Sequence, residues 1–229
     1  MIFIGLDDTD NQESPGTGRL ARMLAEYVES ECRVCGITRH QLLVDPRVPY
    51  TARNSCAALH IQVNGAIDLA ALGERAASFV RQRCAPGSDP AVCVARHVSV
   101  EVSAFGRRVQ RSVVTQAEAR TLAEAHGIYL QGLGGTEQGV IGALAAVGLA
   151  ATGNDGRFVR LGTVRQLMGA KPIEAIVAAG VAQVRDLAQR PISEGIVDTQ
   201  GKLRPALREG KPILYVERGE QYWRPVRLD

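Results

Sequence analysis

A chain of 229 residues, 45% hydrophobic and 22% charged, is long enough for one large or two small domains around ordinary packed cores. Its formal charge of +3 is too mild to make a nucleic-acid binder by field alone, and five cysteines, odd in number and irregularly spaced, exclude a secreted disulfide framework. No stretch nears the roughly 20 apolar residues of a membrane span, and residues 1–6 lack the basic region and cleavage site of a signal peptide, so the expected compartment is the cytoplasm and no membrane partner is expected.

Taken in chain order, residues 1–6 read as a buried strand. Residues 7–18 are polar and carry Pro15, Gly16 and Gly18, which makes a loop. From Arg19 the pattern is helical, with Leu20, Met23, Leu24, Tyr27 and Val28 on one face. Residues 35–44 and 56–63 read as strands, the first closed by Asp45-Pro46 and Pro49. A helix over 67–83, a turn over 84–90 and an alternating strand over 97–103 follow. The order β-α-β-β-α-β is ferredoxin-like. A junction near 104–112 separates a first part, 1–104, from a second, 105–229. The second part opens with a helix over 115–126, where Thr115 and Glu118 have capping-box spacing. A glycine loop, a small-residue helix over 138–150, a strand over 158–161 and a helix over 173–189 come next. The end is a strand meander: GIVDTQGKL, KPILYVERGE and QYWRPVRL. The expected fold class is α/β in the α+β sense: a ferredoxin-like first half, then a second mixed α/β part.

The informative segment is the exit of the first strand, MIFIGLDDTDNQESPGTG. Asp7, Asp8 and Asp10 lie within four positions. Like charges a few ångströms apart cost on the order of a few kcal/mol per pair at an effective dielectric near 20. Either one carboxyl holds a proton or a cation sits between them. Strand alternation would put Asp8 and Asp10 on one side and Asp7 on the other. Asp8 and Asp10 could then share one hard cation, Mg²⁺, whose shell bound phosphates would complete. The plainer alternative is a polar loop whose aspartates cap local backbone groups. Thr17, between Gly16 and Gly18 at a helix start, could meet a phosphate there, or could be a simple capping threonine. An excess of arginine over lysine, with only Lys171, Lys202 and Lys211 present, favours groups that grip phosphate bidentately, and is equally compatible with compositional bias.

GLDDTD at 5–10, followed by Thr17 and an amphipathic helix, resembles the start of the archaeal tRNA(Ile2) agmatidine synthetase family. Ile37-Thr38-Arg39, the stretch Asp45-Pro46-Arg47-Val48-Pro49-Tyr50 ending at Arg53, the helix GVIGALAAVG at 139–148 and the strand pair from Val197-Asp198-Thr199 to Arg218-Gly219-Glu220 are similar to further family motifs. Family members use ATP to activate the wobble cytidine of a tRNA, and agmatine displaces the activating group. They have a kinase-like module followed by a ferredoxin-like one. The resemblance implies that Asp7, Asp8 and Asp10 hold Mg²⁺ and phosphates. It implies that Thr17 stands where the family threonine takes up phosphate, and that Arg39 and Arg53 face the nucleotide. Thr9, Gly16, Gly18, Gly134 and Gly135 would complete the ATP contacts. Asn54 and Ser55 depart from the family's glycine and asparagine, and Gly18 from its second threonine. The family's tRNA-binding OB-fold and zinc ribbon have no counterpart in these 229 residues. The acceptor is therefore left open between a small molecule and a tRNA held with the help of a partner chain.

Other features are weaker. GLGGTEQGVIG at 132–142 lacks the G-K-[ST] of a P-loop and the spacing of a dinucleotide fingerprint. Its amides could cradle a phosphate, or its glycines could serve close packing. Cys32-Arg33-Val34-Cys35 has metal-site spacing but no second pair. His40, His60 and His97, placed in strands, read as satisfied polar positions. The expectation is a Mg²⁺-dependent, ATP-using ligase- or kinase-like enzyme with Asp8 and Asp10 as metal ligands. The alternatives are a non-catalytic nucleotide- or RNA-binding module and a divalent-cation sensor.

Overall fold

The computed structural model describes residues 1–50 and 53–228. By contacts the chain forms two compact units, Met1–Thr152 and Gly153–Asp229. Residue 104, the expected division, falls inside a helix of the first unit, Val100–Val109.

In the first unit, β1 (Ile2–Asp7), α1 (Thr17–Val28), β2 (Arg33–Gln41), β3 (Ser55–Gln62), α2 (Leu69–Arg81) and β4 (Ala91–Ala95) follow the expected order. Neighbouring strands pair antiparallel as β4-β1-β3-β2, the ferredoxin-like arrangement. Three further helices follow: α3 (Val100–Val109), α4 (Gln116–Ala125) and α5 (Gly139–Ala151). Between the last two, β5 (Tyr129–Gly132) adds antiparallel to β4.

The sheet is buried on both sides. Ile2, Ile4 and Leu6 point to one face, while Phe3 joins the core that α3, α4 and α5 build on the other. α5 is apolar all round and buried, as expected of a central helix. It lies directly on β1, because a Cβ at Gly5 would collide with the Ala143 carbonyl oxygen. α1 and α2 pack against β2, β3 and β4. On α1 the buried stripe is Leu20, Ala21, Leu24, Ala25 and Val28. Met23 and Tyr27, expected on that face, are half-exposed.

The strand expected over 97–103 is instead the turn into α3. Ser99 caps the helix by accepting the Val102 N–H, and Val100 is 69% exposed. The true strand, Ala91–Ala95, is apolar throughout because it is buried on both faces, so it shows no alternation. The box at Thr115 and Glu118 forms as expected.

The second unit holds β6 (Arg157–Arg160), β7 (Ala170–Pro172), α6 (Ile173–Ala178), β8 (Gln183–Asp186), β9 (Ile196–Asp198), β10 (Ala206–Arg208), β11 (Lys211–Arg218) and β12 (Trp223–Val226). Of the three strands expected at the end, β11 and β12 pair antiparallel as a hairpin, but the first, β9, runs parallel to β12 and antiparallel to β7. The other antiparallel neighbour of β11 is β10, a short strand that was not expected, and β8 runs parallel to the middle of β11. The helix expected over 173–189 stops early. Gly180, at φ +120°, turns the chain, and residues 183–186 extend as β8.

Candidate active site

β1 carries its apolar run to Leu6 and emerges from the sheet at Asp7. The next residue, Asp8, has φ 51°, the left-handed conformation that a short carboxylate side chain tolerates. Strand alternation therefore ends at Asp7. In place of the expected split, Asp7, Asp8 and Asp10 line one cleft together with Thr17.

The turn between α2 and β4 braces this acidic loop. The Ala85 N–H donates to the Thr9 carbonyl at 3.0 Å. Asn11 Nδ2 donates to the Pro86 carbonyl at 3.1 Å, while Asn11 Oδ1 accepts the Glu13 and Ser14 N–H groups. The Asp89 backbone N–H donates to the Asp8 carboxylate. Inside the loop, buried Thr9 donates its hydroxyl to Thr17 Oγ1 at 3.1 Å, and Thr17 donates to Asp10 Oδ1 at 2.8 Å. Thr17 is the first residue of α1. Gly16 supplies no side-chain cap and the first turn holds no acidic residue, so the positive end of the helix faces this point uncancelled.

Burial and crowding set the charges. Desolvation, with the Asp8 charge next in weight, pushes the Asp7 carboxyl up to about 8. Burial, then the charges of Asp89 and Asp10, push Asp8 up to about 6. Asp7 fits against α5 only because residue 142 is glycine, since a Cβ there would strike its carboxylate.

Two clefts meet at Thr17. The first, of about 230 Å³, has the carboxylates at its floor and apolar walls from Leu42, Val48, Tyr50, Val113 and Ile141. The second, of about 220 Å³, brings Gly16 and Gly18 together with Arg39 and Arg53. Asp10, Thr17, Arg53 and Ser55 border both. Burial and the neighbouring Arg53 lower the Arg39 pKa, so the pair is set up to favour an anion. Among the described residues neither arginine has a carboxylate partner, and Arg39 donates only to Gln41 Oε1 at 3.2 Å.

The glycine-rich turn is directed elsewhere. Gly134 and Gly135 line neither cleft. The Thr136 N–H donates to Asp89 Oδ1 at 2.7 Å, and its hydroxyl also donates to that carboxylate. The Asp89 carbonyl accepts the Gly139 N–H at 3.0 Å. Asp89 thus ties the start of α5 to the acidic loop. Sequence reading missed it, although its place before Pro90 in the turn ahead of an apolar run was a signal. Thr9 likewise lines neither cleft.

The remaining motifs are structural. All five cysteines are free thiols. Thr38 Oγ1 lies 2.7 Å from His40 Nε2 and 2.9 Å from His60 Nε2, inside the sheet. His97 is outside any strand, between β4 and α3. Among the described residues no group of three or more His, Cys, Asp and Glu side chains gathers to hold a metal. Among the described residues no helix is long and apolar enough to cross a membrane.

No protein-family profile matches the chain, and no curated protein matches it. Solved structures do. A tRNA fluorescent labeling enzyme matches over 64% of this chain and 35% of its own, with TM-score 0.56 and 24% identity. The TiaS–tRNA(Ile2)–ATP complex matches over 64% and 36%, with TM-score 0.56 and 24% identity. Apo TiaS, a tRNAIle2 agmatidine synthetase, matches over 64% and 35%, with TM-score 0.55 and 22% identity. The shared feature is the fold, and the match spans about a third of those chains.

Proposed function

We propose that the chain is a Mg²⁺-dependent, ATP-using enzyme that phosphorylates or otherwise activates an acceptor, either a small molecule or a tRNA. The observation that carries this reading is the meeting of three carboxylates, Thr17 and Arg53 on one cleft, with Arg39 in the cleft beside it. Solved neighbours of the same fold bind tRNA and ATP, and in one case AMPCPP and agmatine, which supports the same substrate classes here.

Asp8 and Asp10 are a hard-oxygen donor set of the kind Mg²⁺ takes when phosphate oxygens supply the rest of its shell. The crowding that raises the Asp8 pKa is what a divalent ion would relieve. When bound, the ion neutralises phosphate charge and orients the polyphosphate. Arg39, Arg53 and the first turn of α1 bind phosphate oxygens in the second cleft. Thr17, where both clefts meet, accepts the terminal phosphoryl group. Its oxygen bonds to phosphorus, the bridging oxygen leaves with its electron pair on the nucleoside diphosphate, and the hydroxyl proton passes to Asp10. The apolar walls of the first cleft then hold the acceptor. Asp7, protonated at neutral pH without a cation, keeps the floor from accumulating three negative charges.

The test is Mg²⁺-dependent release of ADP, AMP, phosphate or pyrophosphate from ATP by the purified protein. Asp8→Ala and Asp10→Ala should each abolish release with circular dichroism unchanged. ATP binding seen by thermal shift without any release would replace the enzyme with a nucleotide-binding module.

A further inference from the structure

Thr9 hydrogen-bonds the Thr17 hydroxyl directly and yet lines no part of either cleft. It is buried, 4% exposed. Its own place is fixed through the backbone, where its carbonyl accepts the Ala85 N–H at 3.0 Å. From that fixed point its hydroxyl donates to Thr17 Oγ1 at 3.1 Å.

A hydroxyl oxygen has one proton and two lone pairs. Asp10 takes the proton of Thr17 and Thr9 fills one lone pair. Among the described residues nothing occupies the remaining lone pair, which is left to attack, and Thr17 itself borders both clefts. Without Thr9 the Thr17 side chain would retain its link to Asp10 but lose the second restraint on its rotamer. Misorientation of an attacking atom is felt in the chemical step more than in ligand affinity.

We propose that Thr9 is a positioning residue for phosphoryl transfer to Thr17, acting through the Thr9–Thr17–Asp10 hydrogen-bond chain and not through contact with the nucleotide. This rests on the reading of Thr17 as the phosphoryl acceptor.

The experiment compares full-length wild type, Thr9→Val and Thr9→Ser in single-turnover reactions with γ-labelled MgATP, alongside equilibrium ATP binding and thermal melting. Valine keeps the shape and removes the donor, whereas serine keeps the donor and removes the methyl. The expected result is a Thr9→Val transfer rate lowered about tenfold or more, ATP affinity within about twofold of wild type, and recovery of most of the rate in Thr9→Ser. An unchanged rate in Thr9→Val would overturn the proposal. So would a loss of ATP affinity that matches the loss of rate, which would make Thr9 a nucleotide contact. A Thr9→Ser rate as low as that of Thr9→Val would show that packing matters and the donor does not. If wild type itself transfers no phosphoryl group to Thr17, the acceptor reading fails first, and that outcome is distinct from all of these.

Discussion

Gly142 on α5 faces the Asp7 carboxylate at the end of β1 so closely that a methyl group at position 142 would overlap it. One strand end and one helix, 135 residues apart by their numbering, therefore share a single packing solution. Gly142→Ala must displace Asp7 or lift α5. The expected cost is about 1–3 kcal/mol of stability, as for other overpacked sites, with a fall in ATP turnover. Urea unfolding and a turnover assay on the same preparation would check it, and wild-type stability in the variant would contradict the placement of Asp7.

Asp7 gives stability a pH slope of definite sign. Its folded pKa, about 8, lies above its ordinary value of 3.8. Between those limits the folded state keeps a proton that the unfolded chain releases, so stability falls as pH rises through the window. Asp8, at about 6, adds to the decline over the lower part. In cation-free buffer the urea midpoint of wild type should drop between pH 5 and pH 8. Asp7→Asn should flatten that drop. A midpoint that rises over the same interval would contradict the burial of Asp7.

Arg39 and Arg53 should act on phosphate affinity. Arg39→Ala and Arg53→Ala are each expected to weaken ATP binding about tenfold or more, of the size of losing one charge-assisted contact. Arg39→Lys should recover only part of the loss, because an ammonium cannot donate in the planar fork of a guanidinium. Isothermal titration gives the affinities directly.

Mg²⁺ and ATP should stabilise the protein together more than either does alone, since Asp8 and Asp10, with no group of three or more His, Cys, Asp or Glu side chains gathered among the described residues, leave most of the shell to phosphate and water. Saturation at about 100 times the dissociation constant would add about 2.7 kcal/mol. EDTA should erase both this increment and turnover. A full melting shift from Mg²⁺ alone would point to a cation sensor.

The sequence made the first half legible because its strands are bounded by polar or proline-rich breaks and its two amphipathic helices carry clear stripes. It misled at 97–103, where Val98, Val100 and Val102 alternate by coincidence with a helix N-terminus, and at 173–189, where apolar periodicity ran past a glycine at positive φ. The acidic box, Thr17 and the arginines were visible as residue types. Their convergence was not, because it depends on the left-handed turn at Asp8, which undoes the alternation that sequence reading assumes. Asp89 stayed hidden for a related reason. It is joined to Asp8 and Thr136 across 81 and 47 positions by their numbering, and no local pattern encodes such a link.

The brace between Asn11 and Pro86 joins residues 75 apart, and the one between Thr9 and Ala85 is of similar reach. Closing so long a loop is entropically unfavourable until the intervening strands have assembled. A folding chain would thus give the acidic loop its final shape only once α2 and the turn after it had docked. In pulse-labelled refolding, protection of the Ala85 amide from deuterium exchange should appear no earlier than that of the α2 amides.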